Sequence, residues 1–467
     1  MIGETTTLKK LSATILFFVL YAAACFAEPL TLDSCLRLAR QNNADILCSQ
    51  LEIDKAREVK AQVFTKYFPQ VSANALSYHA LNPLVEFGIG DIQSEDARRL
   101  LQALYDLVKE RSDISDQISL MRYGTLVSGV AVQPIFAGGR IVNANRLANL
   151  GVEAAKLQAQ VSQRDILENV ESSYFLVLGL QEKVATVDTT LALLDSLTKT
   201  VNVALNAGLV TKSDVLQVEL KKNEMRALQL QLKNAISLAA QLLCLQIGID
   251  YPAGGLSLSD DLEAYSSLGS LNLPNVLPAL FRPEADLLDL QVEAEELRKK
   301  ISIGAALPQV MLGGAYYWGN PVKTQFDHNG LLFATAIVPL TQWWETSHKI
   351  REHNVAIRQY ELQRDDLTKK MWLENQQVYN SMLEAAALLR SDSSALEMAK
   401  ENYRIASLNY KAGINTLNDV LQAQALMLQA QNTLTDRRIT FLTAQRRHAD
   451  MCRLGNFDYI YRPKKGH

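Results

Sequence analysis

The fold of this chain is decided by a stretch that occurs twice, as AGLVTKSDVLQ at residues 207–217 and as AGINTLNDVLQ at residues 412–422. The shared glycine suits the left-handed residue that ends a helix. The polar residues after it suit the start of the next helix, because their side chains can hydrogen-bond its free N–H groups. Each copy is therefore interpreted as the turn of a helical hairpin.

The polar positions in these turns have structural interpretations. Candidates for capping the returning helix are Thr211 or Ser213 in the first copy and Asn415 or Asn418 in the second. An aspartate follows in each first turn, Asp214 and Asp419, where the helix dipole favours a carboxylate. We therefore expect a structural rather than an ion-selective role for both aspartates.

The duplication extends well beyond the turns. The spacing that separates Gly208 from Gly413 also separates Pro134 from Pro339. A third match, PQV at residues 69–71 and 308–310, is set further apart because the first copy carries an insertion at 82–122. The chain is thus predicted to hold two copies of one unit. The predicted divisions are a first repeat at 28–250, a linker at 251–278, a second repeat at 279–454 and a tail at 455–467.

Each unit is predicted to contain a helix, two strands and a long helical hairpin. A proline, which cannot donate to a central ladder, closes the second strand. In the first copy the elements are a helix at 32–66, strands at 71–78 and 126–133, and a hairpin from 140 to about 245 that turns near 208. In the second they are a helix at 283–303, strands at 310–318 and 331–338, and a hairpin from 344 to about 451 that turns near 413. The insertion is predicted to hold one amphipathic helix at 94–111.

The long helices carry the strongest periodic signal. Residues 140–206 contain no proline, and an uninterrupted helix of that length would extend ~100 Å. Residues on one side of it, all apolar except Thr198, follow a 3.5-residue repeat, the pattern of left-handed coiled-coil packing. They are Leu180, Val184, Val187, Leu191, Leu194, Thr198, Val201 and Leu205. Leu228, Leu232, Ala235, Ala239 and Leu242 repeat the pattern on the returning helix.

The strands indicate how many copies assemble. Two strand pairs give four strands per chain, whereas the smallest membrane barrels have about eight. A dimer would give a barrel filled by side chains, while a trimer gives a twelve-stranded transmembrane β-barrel with a lumen. Aromatic residues lie near the strand ends at Tyr78, 316–318 and 343–344. They fit either an interfacial girdle or core packing.

The N-terminus is predicted to be a signal peptide at 1–27. Lys9 and Lys10 precede an apolar stretch at 11–24, which is too short to span a bilayer, and Ala27 is a plausible cleavage point. The alternative is lipidation of Cys25. No later segment approaches ~20 apolar residues. The remaining cysteines, Cys35, Cys48, Cys244 and Cys452, are interpreted as buried thiols rather than as a disulfide framework.

The sequence does not indicate an enzyme. His348 and His353 are five positions apart, which is not a metal-binding register on a helix, and no HExxH motif occurs. Gly138 and Gly139 are not followed by the lysine of a phosphate loop, and no catalytic triad can be assigned. A net charge of −3 gives no electrostatic case for nucleic acid. We therefore expect no catalytic, cofactor-binding or metal site.

The order of the motifs resembles the TolC-like outer-membrane efflux and secretion family. The resemblance rests on LTLDSCLRLARQNN at 30–43, FPQV at 68–71, QPIFAGGR at 133–140, RPE at 282–284 and the two turns. The insertion resembles members from the Bacteroides group. The resemblance implies a mixed, mainly α fold in which the trimeric barrel of the outer membrane continues as a long α-helical barrel across the periplasm, closed at rest by inward-curved helix pairs.

The resemblance also implies partners and a role. A homotrimer embedded in outer-membrane lipid would dock a periplasmic adaptor protein and an inner-membrane pump. It would serve as the exit duct of a tripartite efflux pump, passing small molecules such as drugs or bile salts, or of a type I secretion system. The alternative is a periplasmic or surface coiled-coil protein of structural or adaptor type. The duplicated strand–proline–helix unit favours the duct.

Site residues carry over only at the helix turns. The predicted adaptor-docking positions are Gly208, Thr211, Asp214, Gly413, Asn415 and Asp419. Candidates for a polar latch at the periplasmic aperture are Asn202, Asn206, Tyr403, Arg404, Asn409 and Lys411. Tyr403 and Arg404 are preferred because latches in this family use such side chains.

Overall fold

The structure is a computed structural model that describes residues 29–81, 85–88, 92–109, 117–120, 123–252, 254–262, 282–320 and 327–461. The predicted signal peptide with Cys25, and most of the predicted linker, lie outside these ranges. The described part is mainly helical. Its helices are α1 Leu32–Asn42, α2 Ala44–Phe64, α3 Glu95–Lys109, α4 Arg140–Asn206, α5 Lys212–Ile247, α6 Pro283–Ala305, α7 Gln342–Lys411 and α8 Leu417–Tyr461. Its strands are β1 Gln70–His79, β2 Val85–Gly88, β3 Gln117–Leu120, β4 Tyr123–Ala137, β5 Gln309–Gly319 and β6 Asp327–Ile337.

The first predicted helix, at 32–66, is in fact two helices, because the chain breaks at Asn43. This residue has an extended conformation, with ψ at 127°. Its side-chain oxygen accepts hydrogen bonds from the N–H groups of Asp45, at 2.9 Å, and Ile46, at 3.1 Å. Its side-chain amide donates to the backbone oxygen of Gln246 at 2.8 Å. Asn43 therefore ends α1, caps α2 and ties this joint to the end of α5.

Four strands form one antiparallel sheet in the order β1-β4-β5-β6. The two predicted strand pairs are present, and β4 also pairs with β5. The prediction that the first pair closes at Pro134 is wrong, since β4 continues to Ala137 with a register shift between Pro134 and Phe136. A bulge accommodates a proline that lacks an N–H donor. By contrast, β6 ends at Ile337, before Pro339.

The insertion contains more structure than the predicted helix. Helix α3 matches that prediction, and β2 and β3 add a two-stranded antiparallel sheet with Val85 opposite Leu120. Each of these strands has only four residues. A strand this short is too brief to show an alternating pattern in sequence.

Two compact units divide the chain. The first comprises residues up to Asp54, 154–289 and 361–467, and the second comprises 55–153 and 290–360. Each unit draws on both halves of the sequence, so these units are not the repeats, whose boundaries stay a prediction. The core of the first unit includes Leu32, Tyr174, Phe175 and Leu243, all fully buried.

The predicted coiled-coil pattern on α4 is confirmed. Val187, Leu194 and Val201 are fully buried and pack in one cluster with Val218 and Met225 of α5. Knobs that alternate in this way hold the two arms of a hairpin together along their length. The first hairpin is therefore a packed unit over much of its length.

The pattern predicted on α5 fails at its last position. Leu242 is 46% exposed, and its neighbour Leu243 is buried instead. The reason is that Leu243 and Ile247 pack in one cluster with Leu32 and Ala39 of α1. Contact with α1 thus sets the buried side of α5 near its end.

The cysteines only partly follow the prediction. Cys35 and Cys244 are buried free thiols, but Cys48 is exposed, and the side chain of Cys452 lies outside the described part. Burial, followed by the neighbouring Cys244 and Asp260, raises the pKa of Cys35 to about 12. Such a thiol carries almost no thiolate at neutral pH and is inert. Cys48 faces solvent because it lies on α2, of which only Ile46 is buried.

Candidate functional site

The first helical turn has the geometry that the sequence predicts. Gly208 adopts a φ of +76°, a left-handed conformation that costs glycine little. The N–H of Leu209 donates to the oxygen of Ala204, and the N–H of Gly208 donates to Leu205, both at 2.9 Å. This pair of hydrogen bonds is a Schellman motif, which satisfies two of the last carbonyl groups of α4.

A second pair of residues starts the returning helix. The backbone N–H of Thr211 and its hydroxyl both donate to the same carboxylate oxygen of Asp214, each at 2.8 Å. Thr211 is the residue that precedes α5, and Asp214 lies in its first turn. The structural role expected for Asp214 is therefore present, and Ser213 is not the cap.

The second turn has the same geometry. Gly413 also has a φ of +76°, and the N–H of Ile414 donates to the oxygen of Asn409 at 2.8 Å. Thr416 donates to Asp419 through its backbone and its hydroxyl, again at 2.8 Å each. The N–H of Asp419 donates back to the Thr416 hydroxyl at 3.3 Å.

The expectation that Asn415 or Asn418 caps α8 is therefore wrong. Thr416 occupies the position that corresponds to Thr211 in the duplicated motif, and the duplication itself was the signal that identified it. Hydrogen bonds from the Thr416 side chain and backbone hold the pKa of Asp419 below its usual value. Both carboxylates thus act as parts of a helix start.

The two turns lie close together through Tyr410. Its ring packs with a cluster that contains Val218 of α5 and Leu417 of α8. Burial, and then the nearby carboxylate of Asp214, raise the pKa of the Tyr410 phenol. The phenol oxygen is buried and has no hydrogen-bond partner among the described residues. Tyr410 could not be identified from the sequence, because nothing in the residue spacing shows which side chain faces the other hairpin.

The predicted latch residues divide into two groups. Arg404 is exposed and makes a double ion pair with Glu401 of its own helix, at 2.7 Å and 2.8 Å. Tyr403 is half-buried, and burial raises the pKa of its phenol. The remaining candidates are exposed or half-buried residues close to the turns: Asn202, Asn206, Asn409 and Lys411. Within one chain they are not joined into a network, and the latch stays a prediction.

Ion pairs between helices tie the helices of the first unit together, and they could not be identified from the sequence. Lys222 on α5 is largely buried and contacts Asp195 on α4 at 3.0 Å and Glu219 at 3.2 Å. Lys183 of α4 contacts Asp436 of α8 at 2.6 Å. Both link different helices, so no single helix pattern could identify them.

The RPE motif has a structural role. Arg282, at the start of α6, contacts Glu374 of α7 at 2.6 Å, and Arg447 of α8 contacts the same carboxyl group at 3.0 Å. Burial alone would raise the pKa of Glu374, but the two guanidinium groups outweigh it and hold the value below the usual range. Three helices are therefore joined through one carboxylate.

One side-chain arrangement in the second unit resembles a catalytic triad. The Ser302 hydroxyl lies 3.0 Å from Nε2 of His353, whose Nδ1 lies 2.6 Å from the Glu295 carboxylate. Glu295 also accepts from Arg298 at 2.6 Å. The arrangement was not visible in the sequence, because its residues come from two helices.

The position of Ser302 argues against nucleophilic chemistry. It lies inside α6, where the backbone N–H groups are used by the helix, so none is free to stabilise an oxyanion. Among the described residues no group of three or more His, Cys, Asp or Glu side chains could hold a metal ion. The arrangement therefore serves as a polar brace between α6 and α7.

No helix within the described ranges has an apolar stretch long enough to cross a bilayer. The sheet, like several of the helices, has exposed apolar surface. Its registers put six large apolar side chains on one face: Val71, Val127, Leu312, Tyr316, Trp318 and Leu332. All six are exposed, with Leu332 at 92%. The opposite face is mixed: it includes the polar residues Ser72, Asn74, Ser128, Asn329 and Thr335 and the exposed apolar residues Leu76, Leu331 and Ile337.

Comparison with known proteins finds one matching family model and several solved structures that share one fold. The model of the outer membrane efflux protein family matches residues 35–248. Among curated proteins, none matches this chain in sequence. The fold is similar to that of the outer membrane protein VceC from Vibrio cholerae, with a TM-score of 0.68 and 15% identity over 91% of this chain and 96% of that one.

Two further solved structures share the fold. The CmeC outer membrane channel of Campylobacter jejuni gives a TM-score of 0.72 and 12% identity, covering 91% of this chain and 86% of that one. The MtrE outer membrane channel of Neisseria gonorrhoeae, solved in its open state, gives 0.67 and 13%, covering 91% and 88%. The mainly helical fold with few strands that the sequence predicts is thus confirmed.

Proposed function

We propose that this chain forms the exit duct of a tripartite efflux pump, because its residues 35–248 match the model of the outer membrane efflux protein family. Members of this family are outer-membrane channels and not enzymes. In this proposal, small molecules such as drugs or bile salts pass from the pump to the exterior. A type I secretion system would use the same duct for proteins.

The observation that carries the proposal is the open sheet. Among the described strands, β1 and β6 each pair on one side only, so each leaves a row of backbone groups without partners. Lipid cannot satisfy those groups, and a membrane sheet must therefore close on itself. Four strands are too few, since about eight are the minimum. Three copies joined edge to edge make a twelve-stranded barrel with a lumen.

The two faces of the sheet support this arrangement. The face with the six exposed large apolar side chains suits contact with lipid. The other face has fewer of them, namely Leu76, Leu331 and Ile337, and its polar residues suit a wet lumen. An edge-to-edge trimer would also bring the apolar faces of its three sheets into one continuous outer band. A coiled-coil protein without a membrane would have no use for such a face.

Helix α5 also has an exposed apolar surface that could contact a neighbouring copy. Five leucines of α5 are between 59% and 75% exposed in the single chain: Leu216, Leu220, Leu230, Leu238 and Leu245. They lie on a different side of the helix from Val218 and Met225, which pack inside the hairpin. Apolar surface on two sides of a helix fits a wall in which each hairpin also contacts a neighbouring copy.

The turns around Gly208 and Gly413 are assigned to the periplasmic end, where they would meet an adaptor protein and the inner-membrane pump. Their stiff capping supports this assignment, since two rigid turns of equal shape offer a repeated surface to a partner. The polar side chains close to them, including Tyr403 and Arg404, would then line the aperture.

The proposal is tested by combining assembly with conduction. We expect the full chain, purified from outer membranes in detergent, to give the mass of three copies and to conduct ions in planar bilayers. A monomer that does not conduct would contradict the duct, and a trimer that conducts would support it.

A further inference from the structure

A pocket of about 400 Å³ lies between the end of α6 and the start of α7, in the second unit. That volume is within the range of about 300–1,000 Å³ that is usual for small-molecule sites. Its walls are mostly apolar: Ile303, Ala306 and Leu307 from α6, and Trp343 and Ile350 from α7. The site is assembled entirely from residues within the second unit.

The polar groups of the pocket are grouped on one helix. Thr346, Ser347 and Arg351 line it along α7. The guanidinium of Arg351 donates to the Ser347 hydroxyl at 3.2 Å, and among the described residues no carboxylate pairs with it. By contrast, nearby Lys349 is neutralised by Glu345 at 2.6 Å and does not line the pocket. The pocket therefore offers one unneutralised cation beside two hydroxyl groups.

The pocket lies at the end of the sheet. Leu307 is two positions before β5, and Trp343 follows soon after the end of β6. The Trp343 indole donates to the backbone oxygen of Pro339 at 3.0 Å, which fixes its ring, although 62% of the residue is exposed. Tryptophan with an apolar body and a polar tip is typical of the boundary between lipid and water.

We propose that this pocket binds one phospholipid of the periplasmic leaflet, with an acyl chain against Ile303, Leu307 and Trp343 and the phosphate on Arg351. The inference rests on the proposed function, because the sheet must lie in the membrane for a lipid to reach this position. The chemistry matches at both ends: the apolar walls suit the chain, and a guanidinium beside hydroxyl groups suits a phosphate.

The experiment is native mass spectrometry of the detergent-purified trimer with three probes: phosphatidylglycerol, diacylglycerol and inorganic phosphate. We expect up to one phosphatidylglycerol per chain and no retained phosphate. Diacylglycerol should bind about tenfold more weakly, because it lacks the charge-assisted bond to Arg351. Equal binding of the two lipids, or no lipid adduct on an intact trimer, would overturn the proposal.

Variants locate the site. Arg351→Gln should lower the affinity for phosphatidylglycerol about tenfold, while the matched control Lys349→Gln leaves it unchanged. Ala306→Phe should fill the pocket and remove the adduct, with Ile350→Trp as a second filling variant if the first does not fold. The trimer mass in the same spectrum reports assembly.

The remaining outcomes are distinct. Lipid adducts that survive both filling variants would overturn the site. Filling variants that dissociate the trimer without a prior lipid adduct would show that a neighbouring copy occupies the pocket, which also overturns it. A wild-type chain that is not trimeric would contradict the proposed function itself, and an intact conducting trimer without lipid contradicts only this inference.

Discussion

The phenol of Tyr410, near the end of α7, lies beside the carboxylate of Asp214 in the first turn of α5. The two residues belong to different hairpins, so their proximity joins the two turns within one chain. No hydrogen bond connects them, since the phenol oxygen has no partner among the described residues. The carboxylate would therefore repel an ionised phenol. The two residues are held close by the packing of the Tyr410 ring and not by a polar contact.

Replacing Tyr410 by Phe should leave the fold intact and raise its stability at neutral pH by up to ~1 kcal/mol, because a buried hydroxyl without a partner is removed. The pKa of Tyr410 is raised in the fold. Ionisation of this buried phenol therefore costs the fold stability, which is fully present below the usual tyrosine pKa of about 10 and is lost as pH rises through the raised value. Thermal melting between pH 8 and pH 12 measures both effects.

The control for this experiment is Tyr251→Phe, which alters an exposed phenol. We expect Tyr410→Phe to flatten the alkaline loss of stability and the control to leave it unchanged. Identical alkaline curves for wild type and Tyr410→Phe would contradict the placement of Tyr410.

The cap at Thr416 gives a second prediction. Thr416→Ala should destabilise the second hairpin by about 1 kcal/mol, since it removes the side-chain bonds at the start of α8. Asn415→Ala is the matched control and should be nearly neutral, because Thr416 and not Asn415 precedes the helix. Chemical denaturation of both variants decides the matter, and a larger effect of Asn415→Ala would show that the cap is misassigned.

The same cap has a pH dependence. The pKa of Asp419 is lowered by its bonds with Thr416. Its contribution is thus present above the usual aspartate pKa of about 3.9 and is lost as pH falls through the lowered value. Asp419→Asn should therefore reduce the loss of stability that occurs as the pH falls.

Replacing glycine by alanine should change the stability of the protein in opposite directions at two positions. Gly208→Ala forces a side chain into a left-handed conformation and should cost about 1–2 kcal/mol. Gly151→Ala, inside α4, meets no atom within 4 Å and should stabilise the helix by about 0.5–1 kcal/mol. Melting temperatures of the two variants provide the comparison. Destabilisation by both would indicate that a neighbouring copy approaches α4 closely at Gly151.

The brace around His353 predicts a loss of stability in acid. Burial alone would raise the pKa of Glu295, but hydrogen bonds from His353 and Arg298 outweigh it and hold the value low. The resulting stability is present above the usual glutamate pKa of about 4.3 and is lost as pH falls through the lowered value. Glu295→Gln should cost about 2 kcal/mol at neutral pH and flatten the acid branch of the curve.

Tests on Ser302 distinguish a structural role of this arrangement from a catalytic one. Ser302→Ala should cost less than Glu295→Gln, about 1 kcal/mol, because it removes one neutral hydrogen bond. Wild-type protein should not react with a fluorophosphonate probe, since no oxyanion site accompanies the hydroxyl. Stoichiometric labelling at Ser302 would show that the serine is activated after all.

Arg404 tests the aperture. Arg404→Ala removes the exposed ion pair with Glu401 and should leave the melting temperature nearly unchanged. If the residue lines the aperture, the single-channel conductance should rise, and cation selectivity should increase because the Glu401 carboxylate is released. Lys400→Ala, which breaks the comparable pair with Glu397 on the same helix, is the control. Equal conductance changes for both variants would remove Arg404 from the latch.

Much of the fold could be predicted because it is repetitive. Periodic leucine and valine positions fixed the buried side of α4, and the duplicated turn fixed both hairpins. A break in a helix that depends on a single residue could not be predicted from the sequence. Asn43 divides a continuous apolar pattern only because its side chain can cap α2 and bond to Gln246, and that partner is remote in sequence.

The candidate site was predictable to the same extent. Gly208, Gly413, Thr211 and Asp214 follow local rules of helix ends, and local rules can be read in a sequence. Contacts between helices could not be foreseen, which is why Tyr410 was missed. The capping residue Thr416 could have been found by giving the duplication more weight than the general preference for asparagine.

The open edges of β1 and β6 affect how the single chain behaves before it assembles. A folded single chain would expose two strands ready to pair with any other extended segment, which is a route to aggregation. In the proposed trimer, closure of the barrel needs three chains to meet, so it competes with misassembly in a concentration-dependent way. Mutations that weaken contacts between copies should therefore appear first as loss of protein through proteolysis, well before any altered transport can be measured.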